Sequence, residues 1–141
     1  MTNYHLLPLK LKSIKYKMME NLHIEETKCT PLINGDVNGA LIIKGNCFPE
    51  NSLTFFETIN NWMDALPSDL SSFVIDCELN YIASSSVMHI FKLMQKAEEH
   101  FPVDKIEIKW KFEVDDEDIE KLGEEFNNLT KSEIKLIPVE V

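Results

Sequence analysis

Three consecutive serines, Ser84, Ser85 and Ser86, stand where an apolar run ending at Ile82 gives way to apolar residues at helical spacing. Hydroxyls at such a joint have three uses. They can accept from the free N–H groups of a helix's first turn, act as nucleophiles if a base lies alongside, or receive a phosphate, which the positive end of a helix dipole tolerates best. The second use finds little support. Ala83 to Val87 contains no Gly, so the elbow pattern Gly-x-Ser-x-Gly is missing. His89 lies more than a turn beyond Ser84, a poor place from which to activate it, and His5, His23 and His100 show no acid partner arrangement. Neither a P-loop nor a dinucleotide fingerprint is present. Capping explains one hydroxyl; three are more than one cap requires, and a phosphate there would add about 1.5 to 2 negative charges.

The second cluster is acidic, Glu113 to Asp118. Carboxylates are hard oxygen ligands, but a calcium loop needs ligands at alternate positions, a Gly and a distal Glu, and this run has no such pattern. Carboxylates before a helical stripe are accounted for by the helix dipole. Asp115 and Asp116 are therefore expected to hold no metal and to offer a docking face to a partner. The competing enzyme reading would require these acids to bind a metal.

Composition bounds the classes. A chain of 141 residues with 44% hydrophobic content suits one domain with a real core. The formal net charge of −10 argues against a nucleic-acid surface. All fourteen basic residues are Lys, so the planar two-point fork of Arg is unavailable for phosphate or carboxylate. Cys29, Cys47 and Cys77 form neither a disulfide framework nor a zinc pattern, which suits reduced thiols in a cytoplasmic protein. No apolar run approaches the ~20 residues that span a bilayer, so membrane insertion is not expected. Residues 1–18 hold four Lys and no acid. They read as a basic, disordered extension ahead of a domain at 19–141, without the features of a secretory signal.

The elements that must position these groups follow from periodicity. Leu22 to Lys28 and Ala40 to Lys44 read as strands, with turn signals at Asn34-Gly35-Asp36 and Asn38-Gly39, which together make an N-terminal hairpin. Glu50, Asn51 and Ser52 open a helix carrying Phe55, Phe56, Ile59, Trp62, Met63 and Leu66. Phe73 to Ile82 is a buried strand, and Val87, Ile90, Phe91, Met94, Ala97 and Phe101 mark the next helix. Lys105 to Phe112 alternates strictly and suggests an exposed strand near an edge. A third helix carries Ile119, Leu122, Phe126 and Leu129, and Ile134 to Val139 is a last strand that Pro138 confines to an edge or an end. The order β-β-α-β-α-β-α-β gives an α/β fold, a mixed sheet with helices packed on it.

Taken together, these residues resemble the SiaC family of bacterial regulatory phosphoproteins. The resemblance runs from Met19 nearly to the C-terminus. It rests on Met19-Glu20-Asn21-Leu22, Thr30-Pro31, Gly39, Gly45 with Pro49-Glu50-Asn51, Phe55-Phe56 with Trp62, the serine stretch, Trp110, and Asp115 to Asp118 followed by Gly123-Glu124. The family stretch Leu-Glu-Tyr-Phe-Asn-Thr-Ser-Ser-Ser lies without gaps on Leu79 to Val87. That places the family's phosphorylated threonine on Ser84, with Ser85 and Ser86 as secondary candidates. Ala83 departs from the family Asn, and Ser84 replaces Thr while keeping the hydroxyl. The resemblance implies a STAS-like fold, no enzymatic activity and no cofactor. It also implies phosphorylation by a cognate Ser/Thr kinase, removal by a PP2C-type phosphatase, and binding of a partner such as a diguanylate cyclase in cyclic di-GMP and biofilm signalling. The expected partner surface comprises Asn80, Tyr81, Ser85 and His89, with Glu50, Asn51, Asp115 and Asp116. The alternatives are an anti-sigma factor antagonist and a constitutive binding module that is never phosphorylated.

Overall fold

The computed structural model describes residues 19–140, so the expectation for residues 1–18 lies outside the described residues. Six strands form one sheet in the order β1-β2-β3-β4-β5-β6. They are β1 (Leu22–Ile24), β2 (Leu32–Asp36), β3 (Ala40–Cys47), β4 (Phe73–Ile82), β5 (Ile106–Glu113) and β6 (Ile134–Val139). Three helices alternate with the later strands: α1 (Ser52–Asp64), α2 (Ser84–His100) and α3 (Glu117–Leu129). The first three strands are antiparallel, and β3 to β6 run parallel.

Because each crossover steps to the next strand in one direction, crossovers of one hand put all three helices on one face. That face holds the core. Leu41, Ile43, Phe73, Ile75, Cys77, Ile108 and Trp110 point into it, and Ile59, Met63, Ile90, Leu93 and Met94 descend from the helices. Each fully buried Ile, Leu or Phe contributes about 1.5–3 kcal/mol by leaving water. The opposite face is open, and its charged side chains pair across neighbouring strands: Lys44 with Glu78 (3.4 Å), Lys111 with Asp76 (3.1 Å) and Lys135 with Glu107 (2.8 Å).

Three sequence expectations are corrected by this architecture. The N-terminal region is a three-stranded antiparallel unit, because Asn34, Gly35 and Asp36 belong to β2, opposite Ile42, Leu41 and Ala40. Strand pairing, and the Trp62 ring lying against Gly35, override the local turn chemistry. The turn proper follows Asp36, whose side chain accepts from the Asn38 N–H (2.8 Å), and ends at Gly39 with φ 121°. The alternating strand over 105–112 is interior, with β4 on one side and β6 on the other. It alternates because only one face is covered by helices. Third, the serines do not cap α2. Ala83 is its N-cap and makes no side-chain cap bond, so the serines occupy the first helical turn. The last strand is an edge, as Pro138 requires.

Candidate functional site

The parallel strands β3, β4 and β5 end on one rim of the sheet, and each delivers the start of a helix there. The rim therefore carries three helix N-termini, each built differently. At α1 the Asn51 Oδ1 accepts from the Thr54 N–H (3.1 Å), and at α3 the Asp116 Oδ1 accepts from the Ile119 N–H (3.1 Å). Both are ordinary caps. The first turn of α3 also carries Glu117, Asp118 and Glu120, whereas the first turns of α1 and α2 hold no acid. At α2 the cap position is Ala83, whose N–H donates to the Cys47 carbonyl (2.9 Å) and whose carbonyl accepts from the Ser86 N–H (2.8 Å).

The three serines fall into two environments. Ser84 and Ser85 are exposed, whereas Ser86 is fully buried. The period of α2 explains the division, since Ser86 leads the buried stripe Ile90, Leu93, Met94 and Ala97. Its hydroxyl lies 3.3 Å from the Ser52 hydroxyl at the start of α1. Burial pushes the Cys47 thiol above its ordinary pKa, and the Ser86 hydroxyl acts in the opposite sense. Ser86 thus ties the starts of α1 and α2 together, while the Ala83 N–H ties the start of α2 to the end of β3.

Upstream of the serines, β4 departs from regular pairing. Gly45 lies opposite Leu79 but Asn46 lies opposite Tyr81, so Asn80 is an extra residue, a β-bulge. Bulges re-aim side chains. Here the bulge puts Tyr81 beside Asn46 on the open face, while Ile82 pairs with the buried Cys47. Phe48, the residue after Cys47, turns the other way from it, and its ring meets Tyr81 edge to face at 5.5 Å. Gly45 at the bulge has φ 123°, and the Glu26 carboxylate occupies the place a side chain would need. The ladder between β4 and β5 ends at Glu78 and Lys111, so Asn80 and Tyr81 project beyond it.

Of the residues expected at the partner surface, Asn80, Tyr81, Ser84 and Ser85 are exposed within one stretch of the rim. Glu50 is exposed beside the α1 cap. His89 is half-buried instead, its ring stacked on Phe56 at 5.3 Å, and it serves the contact between α1 and α2. Asp115 is exposed, and Asp116 is occupied as a cap. Glu113, Asp115, Asp116, Glu117 and Asp118 line an open depression. Among the described residues, no three His, Cys, Asp or Glu side chains converge to hold a metal ion. Sequence reasoning missed Phe48, Leu53 and Met88, which are 37%, 61% and 54% exposed. Their signal was available for the helices: Leu53 and Met88 stand off the buried stripes of α1 and α2.

Comparison with known proteins agrees with the sequence resemblance. A family model described as "SiaC family regulatory phosphoprotein" matches residues 24–139. A protein of Pseudomonas aeruginosa strain UCBPP-PA14 is 31% identical over 111 residues, 77% of this chain and 88% of that protein. Among solved structures, SiaC of P. aeruginosa, crystallised with the diguanylate cyclase SiaD that it activates, superposes with a TM-score of 0.76 at 26% identity, covering 84% of this chain and 99% of that one. The apo form of P. aeruginosa SiaC gives 0.68 at 27% identity, with the same coverage. No helix among the described residues is long and apolar enough to cross a membrane.

Proposed function

The chain belongs to the SiaC family of regulatory phosphoproteins, and we propose that it is a non-enzymatic switch in which phosphorylation of Ser84 controls binding to a protein partner. The partner class is a diguanylate cyclase, by analogy with the SiaC–SiaD complex, with a Ser/Thr kinase and a PP2C-type phosphatase setting the phosphorylation state. The observation that carries the reading is the contrast among the serines: Ser84 is exposed in the first turn of a helix with no acid there, and Ser86 is sealed in the core. A phosphate on Ser84 is favoured by the helix dipole and costs the fold little. Among the exposed apolar groups of the rim, the same phosphate opposes docking by carrying charge into a contact that would exclude water.

The test is phosphosite mapping by intact-mass and peptide mass spectrometry on protein from its native cell, beside Ser84→Ala. Calorimetric titration of both forms with the cyclase encoded in the same genome follows. The expected result is one phosphate on Ser84, absent in the variant, and tighter binding by the unphosphorylated protein. A chain never modified at Ser84 or Ser85, which binds equally well under all growth conditions, would instead be a constitutive binding module.

A further inference from the structure

The sheet ends in two edges of unequal length, and an unpaired edge strand is a template on which another chain can add a strand. One edge, β1, spans only Leu22–Ile24 and is too short to template a stable ladder. The other, β6, is the β-prone run Ile134-Lys135-Leu136-Ile137-Pro138-Val139, with a neighbouring strand on one side only among the described residues. The direction of its backbone groups follows from the ladder. The Val139 carbonyl accepts from the Val114 N–H (3.2 Å), and the register against β5 is unbroken from Ile134 to Val139. Alternate residues of a strand face the same neighbour. Lys135, Ile137 and Val139 therefore turn their backbone groups to β5, and Ile134, Leu136 and Pro138 turn theirs outward. Of these outward positions, Pro138 has no N–H to give, and the Ile134 N–H already donates to the Asn127 Oδ1 (2.8 Å), which reaches over from α3. The turn that brings α3 back to β6 is itself pinned. The Thr130 hydroxyl donates to the Ser132 carbonyl (2.9 Å), and the Ser132 N–H donates to the Glu98 carboxylate of α2 (2.6 Å). Among the described residues, Leu136 is left as the one outward donor of β6.

We propose that Asn127 and Pro138 together lock the β6 edge against strand pairing with a second copy of this chain. The two residues act on the same row of donors by different means: Pro138 removes one covalently, and Asn127 occupies another. Pairing of two identical strands about a twofold axis uses the same residues on both, so each withheld donor is lost twice. An incoming strand must also displace the Asn127 side chain before it can reach Ile134. Without the proline, β6 would be an uninterrupted six-residue run of β-formers at an open edge, which is the pattern of self-associating segments. The lock does not depend on the switch reading, and it assigns Asn127 a task that a polar residue late in an amphipathic helix does not announce.

The experiment is sedimentation velocity over a range of protein concentration, under reducing conditions and at high salt so that net charge does not keep copies apart. Amide hydrogen exchange is followed by NMR on the same samples. Wild type is compared with Asn127→Ala/Pro138→Thr, with Pro138→Thr alone, and with Asn127→Asp, which keeps an acceptor at the same place. The double variant should self-associate at least tenfold more tightly than wild type, and exchange at Leu136 should slow as it does so, because an added strand takes up that N–H. Asn127→Asp should sediment as wild type does. A folded double variant that sediments like wild type would overturn the lock, and so would association that leaves Leu136 exchange unchanged, since another surface would then be responsible. If the double variant fails to melt cooperatively, Pro138→Thr decides, because residue 138 is exposed and its replacement leaves the α3 contact intact. Concentration-dependent slowing at Leu136 in that variant supports the lock, and its absence overturns it.

Discussion

The hydroxyls of Ser52 and Ser86 stand 3.3 Å apart, one in the first turn of α1 and one in the first turn of α2, and this contact holds the two helix starts side by side beneath the exposed Ser84. The arrangement separates two tasks that the sequence places on adjacent residues. Ser86 fixes the turn, and Ser84 is left free to carry chemistry. A charge placed on Ser84 therefore changes the surface without repacking the core.

Charge should therefore be tolerated at one serine and refused two residues later. Ser84→Asp is expected to leave stability within about 0.5 kcal/mol of wild type, as surface changes generally do, with any bias favourable because an acid suits a helix start. Ser86→Asp buries a carboxylate with no cation beside it and should cost several kcal/mol. Ser86→Ala loses only the hydroxyl contacts, about 1 kcal/mol. Urea denaturation of the three variants checks the order, and an Asp at 86 as stable as one at 84 would contradict the buried placement.

The thiols should divide in the same way. Cys29 is exposed, whereas Cys47 and Cys77 are buried. Burial raises the pKa of both buried thiols, and for Cys77 the neighbouring charges of Asp76 and Cys47 add to the effect. Thiolate is the reactive form, so the buried pair should be inert in the native state. Titration with a chromogenic disulfide reagent near pH 8 should release one equivalent quickly, and all three in denaturant. Cys29→Ser should abolish the fast phase.

Much of the fold could be read from periodicity, and the exceptions have identifiable causes. The change from a run of alternating burial to helical spacing between Ile82 and Val87 located the joint of β4 and α2, because that change is imposed by one buried face. The strand Leu32–Asp36 was hidden because Asn34-Gly35-Asp36 carries turn chemistry, and only pairing with β3 reveals its state. The bulge at Asn80 has no local signal at all; it exists in the register between β3 and β4, and with it the outward aim of Tyr81. Ser86 was a different case. Its place four residues before Ile90 on the buried stripe could have separated it from Ser84 and Ser85 from the start. Phe48 lay beyond the sequence signal, since a single aromatic after a strand is core more often than surface.

Stability at the extremes of pH should report the pair across β5 and β6. The hydrogen bond from Lys135 holds the Glu107 carboxyl below its ordinary pKa, and Glu107 in turn holds the Lys135 ammonium above its own. The stabilisation from Glu107 is present above the unfolded carboxylate pKa and is lost as pH falls through the depressed folded value. The stabilisation from Lys135 is fully present below its unfolded pKa and is lost as pH rises through the raised one. Lys135 is exposed and Glu107 only partly covered, so the effect is small and screened by salt. Glu107→Gln should lower the melting temperature slightly at pH 7 and low ionic strength. The difference should close on acidification and in high salt.

Gly123 in α3 offers the clearest conflict between local preference and packing. On an exposed helix, replacing Gly by Ala gains about 1 kcal/mol. Here the added methyl would enter the ring of Trp110 and press on Leu136. Trp110 is 1% exposed, its Nε1 donates to the Ile119 carbonyl at 2.8 Å, and its ring meets Phe126 edge to face, so it has nowhere to retreat. Overpacking of this kind costs about 1–3 kcal/mol and the helix gain does not cover it. Gly123→Ala should therefore lower the urea midpoint and alter the near-ultraviolet dichroism of the tryptophans. A second change, Trp110→Phe, makes room for the methyl, and in that background Gly123→Ala should cost less than it does alone. Equal costs in the two backgrounds would show that the methyl and the indole do not meet.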